Sequence, residues 1–271
     1  MTVSIEKSGR VWTVIHSRPE ARNAMDPDSA DALNAAFLEF DASEGADVAV
    51  LYGEGGAFCA GWDLKYAASL ESTEAVREID FPADFNESDN GSGLPRGPLG
   101  PTRLRLSKPV IGAVAGPAVA GGMELALWCD CRVMEESAYL GVYCRRWGIP
   151  LLDGGTVRLP RLVGMGKALE IAMTGRKVPA EECYRIGLCE KVVANGAARE
   201  QAEALAHEIA RFPQACVRAD RASIYNQWNK PLWQAMREEW EGGIDVVNHE
   251  GIAGATRFKD GAGRGGDFRN I

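Results

Sequence analysis

Two glycine-bearing turns constrain this chain more than any other feature. They are Phe58-Cys59-Ala60-Gly61-Trp62-Asp63-Leu64-Lys65 and Ala115-Gly116-Pro117-Ala118-Val119-Ala120-Gly121-Gly122-Met123-Glu124-Leu125. Each follows an apolar strand-like run and opens a helix-like one. Each therefore presents backbone N–H groups that have no intrahelical acceptor, at the point where a helix begins. Set face to face, the two turns would form a two-donor pocket for a developing oxyanion.

The flanking pattern is that of one α/β body with a helical tail. Val3 to Ile5 and Val11 to Ile15, separated by Ser8-Gly9, read as a hairpin. Asp26-Pro27 places an N-cap and a first-turn proline ahead of Leu33, Phe37 and Phe40, at helical spacing. Val48 to Tyr52 and Val110 to Val114 read as buried strands, Arg132 to Met134 as another, and Leu188 to Val193 as a late one. Asp63 caps a helix predicted to run from Leu64 to Ile79, and Glu124 to Trp128 forms a short helix. Gly164 breaks a helical pair over Leu159 to Met173, and Pro179 starts a further helix. The stretch from Pro82 to Pro101 is rich in Pro, Gly, Asp and Ser, and reads as a long mobile loop of the lid or binding type. Ala197 to Arg211 and Pro213 to Asn248 are mostly helical, with apolar stripes that include Trp228, Leu232, Trp233, Met236 and Trp240. Such a stripe covers either a neighbouring subunit or its own core.

Composition narrows the function. A hydrophobic content of 46% is ample for a large core, and a net charge of −8 argues against nucleic acid or an anionic membrane as partner. Seven cysteines without a CxxC pair fit a reduced compartment, and Cys129-Asp130-Cys131 with only three histidines makes a metal site unexpected. The first ten residues carry Glu6, Lys7 and Arg10 and no apolar stretch of signal type, so a cytoplasmic location is expected. The uncharged run before Met123 is too short and too rich in Pro and Gly to span a bilayer.

With their spacing and flanks, the two turns resemble the crotonase superfamily, the enoyl-CoA hydratase/isomerase family. The resemblance extends from about Val3 to Val193. It includes Arg18-Pro19-Glu20-Ala21-Arg22-Asn23-Ala24-Met25, Ala57 to Lys65, Lys108-Pro109-Val110-Ile111 through Asp130, Gly154-Gly155-Thr156 and Thr174-Gly175-Arg176. It implies an α/β, crotonase-like spiral of repeated strand-strand-helix units in two sheets, with a core over residues 1–195. A C-terminal helical region, 196–271, would serve for trimerisation or as a lid. It also implies a homotrimer or dimer of trimers, no prosthetic group, and a coenzyme A thioester as substrate. The thioester oxygen would lie between the backbone N–H groups of Trp62 and Gly121. Ala24, Ala60, Trp62, Asp63 and Leu64 would border the CoA groove, with Arg22 and Lys65 as local cations toward its nucleotide end.

Glu124 matches one of the two glutamates of the hydratases, although it also suits the third position of a helix cap. Burial beside an acyl chain would raise its pKa toward proton-transfer duty. The position of the second glutamate falls on Cys144, a thiol ill matched to activating water, which reads more simply as a buried inert cysteine. Asp153 and Tyr143 are the groups that would compensate. Asp153 equally suits a helix cap before Gly154, or an ion pair with Arg145 or Arg146. The expectation is an acyl-CoA enzyme of hydratase/isomerase type with Glu124 as acid/base. Two alternatives stand beside it: a double-bond isomerase, and a CoA-binding homologue with little activity.

Overall fold

The structure, a computed structural model, describes residues 2–85 and 93–266. Strand β1 (Val3–Ser8) pairs antiparallel with β2 (Val11–His16), reversing through Gly9 in the left-handed region. From β2 onward the main sheet is parallel. Strands β3 (Val48–Gly53), β4 (Val110–Val114), β6 (Cys131–Glu135) and β9 (Lys191–Val193) complete the order β1-β2-β3-β4-β6-β9. A smaller sheet, β5-β7-β8, joins β5 (Pro117–Val119) to β7 (Tyr139–Gly141) in parallel and β7 to β8 (Val178–Pro179) antiparallel.

The central strands carry almost no polar residue because both of their faces are covered. Helix α1 (Pro27–Ala42) starts where Asp26 accepts the Ser29 amide, and it buries Leu33, Phe37 and Phe40 in the larger core with Trp12, Val14 and Leu51. The alternate residues Val11, Val48, Val50, Ile111 and Val133 face helix α8 (Ala198–Ala210), whose Ala198, Ala202 and Ala206 are fully buried against them. Small side chains every fourth residue let that helix lie close on the sheet.

The strand-strand-helix repeat is present. It appears as β1-β2-α1, then as β4-β5 leading to α4 (Gly121–Trp128), and as β6-β7 leading to α5 (Gly155–Val163). In the second and third repeats the chain steps from the large sheet to the small one before its helix, and in the third the 3-10 turn Tyr143–Trp147 intervenes. Helices α6 (Met165–Thr174) and α7 (Ala180–Arg185) precede β9, and α9 (Gln214–Asn226), α10 (Leu232–Val246) and α11 (Ile252–Lys259) follow α8. Helix α9 is tied back to the core: Arg221 Nε and Tyr225 OH both donate to Asp130 Oδ1, at 2.8 and 2.7 Å. On α10, Trp233 and Trp240 are 77% and 67% exposed, so in the single chain the aromatic stripe does not cover its own core.

Three element boundaries differ from expectation. The helix predicted from Leu64 to Ile79 is two short ones, α2 (Leu64–Ser69) and α3 (Glu74–Arg77). Ser69 Oγ donates to the Tyr66 carbonyl at 2.7 Å, and Leu70 turns extended, which is how serine competes with helix continuation. Helix α4 begins at Gly121 rather than Glu124, because the turn is completed by Ala120 at a φ of 55°. Strand β9 begins at Lys191 rather than Leu188, whose amide instead donates to the Cys183 carbonyl. The expected mobile loop of residues 82–101 falls partly, at 86–92, outside the described residues. Its end is a tight reversal in which Gly97 and Gly100 exchange both backbone hydrogen bonds.

Candidate functional site

The first turn is strapped down from below by the segment 18–25. Asn23, fully buried, donates from Nδ2 to the carbonyls of Glu54 and Ala57 at 2.8 and 2.7 Å and accepts the Arg18 amide. Met25 N donates to Gly61 O at 2.7 Å, and Asp63 N donates to Met25 O at 2.9 Å. This pairing uses the neighbours of Trp62 and leaves its own N–H pointing to the opposite side. The Asp63 carboxylate caps α2, accepting from the amides of Lys65 and Tyr66, and pairs with Arg18.

The second turn lies directly against the first. Cys59 and Ala118 form a parallel bridge, and Val119 N donates to Cys59 O at 3.0 Å. Contact is close enough to require glycine on both sides. A Cβ on Gly122 would lie 2.0 Å from Cys59 O, and one on Gly61 would lie 2.9 Å from Gly121 N. Gly61 also has a φ of 90°, which an L side chain rarely adopts. Gly121 is the first residue of α4 and has no acceptor in its own helix. Among the described residues, neither Trp62 N–H nor Gly121 N–H donates a hydrogen bond. The structure thus brings the two predicted donors to facing turns.

Glu124 lies one helical turn beyond Gly121 and is 2% exposed. It caps nothing in its own helix. Its Oε1 accepts the amides of Asp153 and Gly155, each at 2.8 Å, across 29 and 31 residues of sequence. Gly155 is required at that approach, since a Cβ there would lie 2.9 Å from Oε1. Burial, and then the nearby Asp153 charge, push the Glu124 carboxyl up to about 7, against the pull of the amides it accepts.

Asp153 is also buried, and it neither caps α5 nor pairs with Arg145 or Arg146. Its Oδ1 accepts the Leu99 amide at 2.9 Å and the Thr102 hydroxyl at 2.5 Å. Arg158 braces the same corner, donating to the carbonyls of Asp153 and Thr102, each at 2.7 Å. Burial raises the Asp153 carboxyl, opposed by Thr102 and the Leu99 amide. Arg145 instead donates to the Ala172 carbonyl, and the Arg146 guanidinium stacks on Tyr143, 3.7 Å from the ring centroid. Leu99, Thr102 and Arg158 were not singled out from sequence. The paired Gly-Pro steps at Gly97-Pro98 and Gly100-Pro101 signal the turn that delivers the first two, whereas nothing local marks Arg158.

These groups surround one cavity of about 340 Å³. Trp62, Gly121, Glu124, Cys144, Tyr143 and Asp153 all line it, as do Ala60 and Leu64, with Leu99, Trp147, Ile149 and Leu152 among the apolar walls. Cys144 is buried in the 3-10 turn Tyr143–Trp147, and burial together with the Glu124 charge raises its thiol. Ala24 is buried beneath the first turn, while Arg22 and Lys65 are exposed outside the cavity wall.

The chain matches the family model described as enoyl-CoA hydratase/isomerase over residues 6–87 and 100–260. An enoyl-CoA hydratase of Mycobacterium tuberculosis is 32% identical over 249 residues, covering 89% of this chain and 87% of the relative. A carnitinyl-CoA dehydratase of Salmonella typhi is 36% identical over 210 residues, covering 77% of this chain and 74% of the relative. Among solved structures, an enoyl-CoA hydratase from Bacillus anthracis superposes with a TM-score of 0.84 at 29% identity, covering 96% of both chains. The expected crotonase-like fold is therefore present along nearly the whole chain.

Proposed function

The chain belongs to the enoyl-CoA hydratase/isomerase family, and we propose that it processes unsaturated acyl-CoA thioesters by stabilising their enolates. The thioester oxygen accepts from the Trp62 and Gly121 amides, and Glu124 moves the proton at the adjacent carbon. One observation carries this reading: two unpaired backbone donors on facing turns stand one helical turn from a buried carboxylate with an elevated pKa. Forming an enolate places negative charge on the thioester oxygen, and fixed donors that need no reorganisation are worth roughly 3–4 kcal/mol each in such a site. A carboxyl poised near neutrality exchanges protons efficiently in both directions.

The two carboxylates of a hydratase are not both at their usual positions, since Cys144 occupies one of them. That observation favours a second reading, the shift of a double bond along the acyl chain, over addition of water. The CoA arm runs out over Ala60 and Leu64, with Ala24 and Asp63 supporting the turn beneath it and Arg22 and Lys65 supplying charge to its phosphates. The body over 1–195 holds the site, and the helices of 196–271 associate into a cytoplasmic homotrimer or dimer of trimers through the exposed stripe Leu232, Trp233, Met236 and Trp240.

The test is turnover of a panel of unsaturated acyl-CoA thioesters by the parent and by Glu124→Gln. Activity on at least one thioester, lost by about 10²-fold or more in the variant, is expected. An unchanged rate in the variant sinks the assignment, and tight CoA binding with no turnover by the parent favours a binding homologue. Light scattering of the eluting species reports the assembly, with Trp240→Glu expected to yield monomers.

A further inference from the structure

The direction of the Trp62 amide is set by its neighbours in the chain. Segments 22–25 and 60–63 lie side by side through three backbone hydrogen bonds: Ala60 N to Arg22 O at 3.1 Å, Met25 N to Gly61 O at 2.7 Å and Asp63 N to Met25 O at 2.9 Å. Each segment then enters a helix through an aspartate. Asp26 caps α1 at Ser29, and Asp63 caps α2 at Lys65 and Tyr66. Asp63 divides its oxygens between two tasks, Oδ1 taking the cap amides and Oδ2 facing Arg18.

One guanidinium holds both sides of this pair. Arg18 Nη1 donates to the Ala24 carbonyl at 2.6 Å, and Nη2 lies 3.1 Å from both Asp63 Oδ2 and Asp26 Oδ2. It therefore grips the residues before and after Met25 and the residue after Trp62. Its own backbone is held in turn: the Arg18 amide donates to Asn23 Oδ1 at 2.7 Å, and the Asn23 amide donates to Arg18 O at 2.9 Å. The side chains of Arg18 and Asp63 are only 17% and 12% exposed, so solvent and salt screen their attraction weakly. Among the described residues, no other cation lies within ion-pair distance of Asp26 or Asp63. A planar fork serves several acceptors in fixed directions, which an ammonium on a flexible stem does not.

We infer that Arg18 is a positioning residue that acts through Asp63 to aim the Trp62 N–H at the thioester oxygen. This rests on the enolate reading above and adds to it a residue that does not line the cavity. Without the cation, the two carboxylates that share Nη2 repel one another across the Met25–Trp62 pair, and the two helix starts part. The amide between them then loses its aim. A donor of this kind works only within about 2.7–3.1 Å of the developing charge. Its misplacement is felt most where that charge is largest, in the transition state, and so in kcat rather than in binding.

The experiment uses a saturated acyl-CoA with ¹³C at the thioester carbonyl, which binds but has no double bond to react. Infrared difference spectra of the bound probe report hydrogen bonding at the oxygen, since fixed donors lower the C=O stretching frequency below its value in water. Arg18→Met and Asp63→Asn are each expected to lose half or more of that lowering. With an unsaturated acyl-CoA that the parent turns over, kcat should fall by about 10- to 10²-fold while KM stays within about threefold. Arg199→Met is the control, because Arg199 also joins two carboxylates, Glu6 and Glu203, but from α8 on the opposite face of the main sheet. It should keep the parental frequency and kcat. A folded Arg18→Met protein with parental frequency and kcat overturns the inference. So does a change confined to KM, which would make Arg18 a binding residue, or an equal loss in Arg199→Met, which would make the effect one of general stability. Should Arg18→Met not fold, Asp63→Asn decides, because its Oδ1 still caps α2 while the charge facing Arg18 is gone; a parental frequency there overturns the inference. Absence of any lowering in the parent would instead remove the two-donor pocket and the enolate reading with it, so the two failures are distinct.

Discussion

Replacing Gly61 by alanine tests the facing turns at their closest approach. The new Cβ would stand 2.8 Å from Ala120 Cβ, 2.9 Å from Gly121 N and 3.0 Å from Val119 O. Carbon atoms settle at about 3.5–4.0 Å, so the turns must part by roughly 1 Å. An oxyanion donor works only when it lies about 2.7–3.1 Å from the developing charge, and a displacement of that size takes Gly121 N–H out of range. Loss of one such donor costs about 10²–10³ in kcat. The same substitution also forces alanine to a φ of 90°, adding roughly 1–2 kcal/mol to an overpacking penalty of about 1–3 kcal/mol. That total is tolerable for a domain with ordinary stability reserves. Gly61→Ala should therefore remain folded by circular dichroism, unfold at lower urea, and lose kcat by about 10²–10³-fold while KM moves far less. Gly166→Ala is the control: nothing lies within 4 Å of its Cβ, and it sits in helix α6, so it should gain about 0.5–1 kcal/mol with unchanged kcat. A folded Gly61→Ala enzyme with kcat within about threefold of the parent would refute the two-donor geometry.

Further outcomes follow from the buried titratable groups and the tail. His16 is buried with neither ring nitrogen bonded, and burial followed by the Arg18 charge holds it down at about 4. It folds in its neutral form, so stability is complete above about 6.5 and falls by roughly 3 kcal/mol as pH drops toward 4. Urea melts across that range should show this fall, and an equal fall in His16→Gln would contradict it. Glu124 has the opposite sign. Its folded carboxyl lies at about 7 against 4.5, so its contribution is present at low pH and lost as pH rises through 7. Glu124→Gln, neutral and still an acceptor, should be more stable than the parent at pH 8 by up to about 3 kcal/mol, and a lower melting temperature would count against the burial argument. Asp130→Ala strips the acceptor from Arg221, Tyr225 and the Val110 amide. It should cost about 1–3 kcal/mol and speed proteolytic nicking between α8 and α9 relative to the parent.

Local chemistry made parts of this molecule readable in advance, and long-range contacts hid the rest. Asp26-Pro27 announces its helix because cap and first turn are contiguous. Gly61 and Gly121-Gly122 announce the two turns because backbone conformation and close approach leave no other residue a place. Asp153, by contrast, precedes Gly154-Gly155 as a cap residue would. Its actual partners, Leu99 and Thr102, lie 54 and 51 residues upstream in a segment that reads as loop. Glu124 likewise suits a local cap, but its oxygen is taken by amides some 30 residues later. The helix predicted to run through Ser69 fails on a single hydroxyl that bonds back to Tyr66. The burial of Cys144 is legible, and so are Glu124 and Asp153, which line the same cavity; the distant partners that fix those two carboxylates are not.

The span of those contacts has a consequence for a chain still emerging from the ribosome. The two unpaired amides and the Glu124 side chain are synthesised by residue 124, yet the amides that orient Glu124 belong to Asp153 and Gly155, and the sheet beneath closes only with β9 at Val193. Any nascent or truncated product ending before Asp153 therefore holds a complete set of donors and an unaimed acid. On the role proposed for Glu124, fragments of this protein are expected to be catalytically silent rather than weakly active.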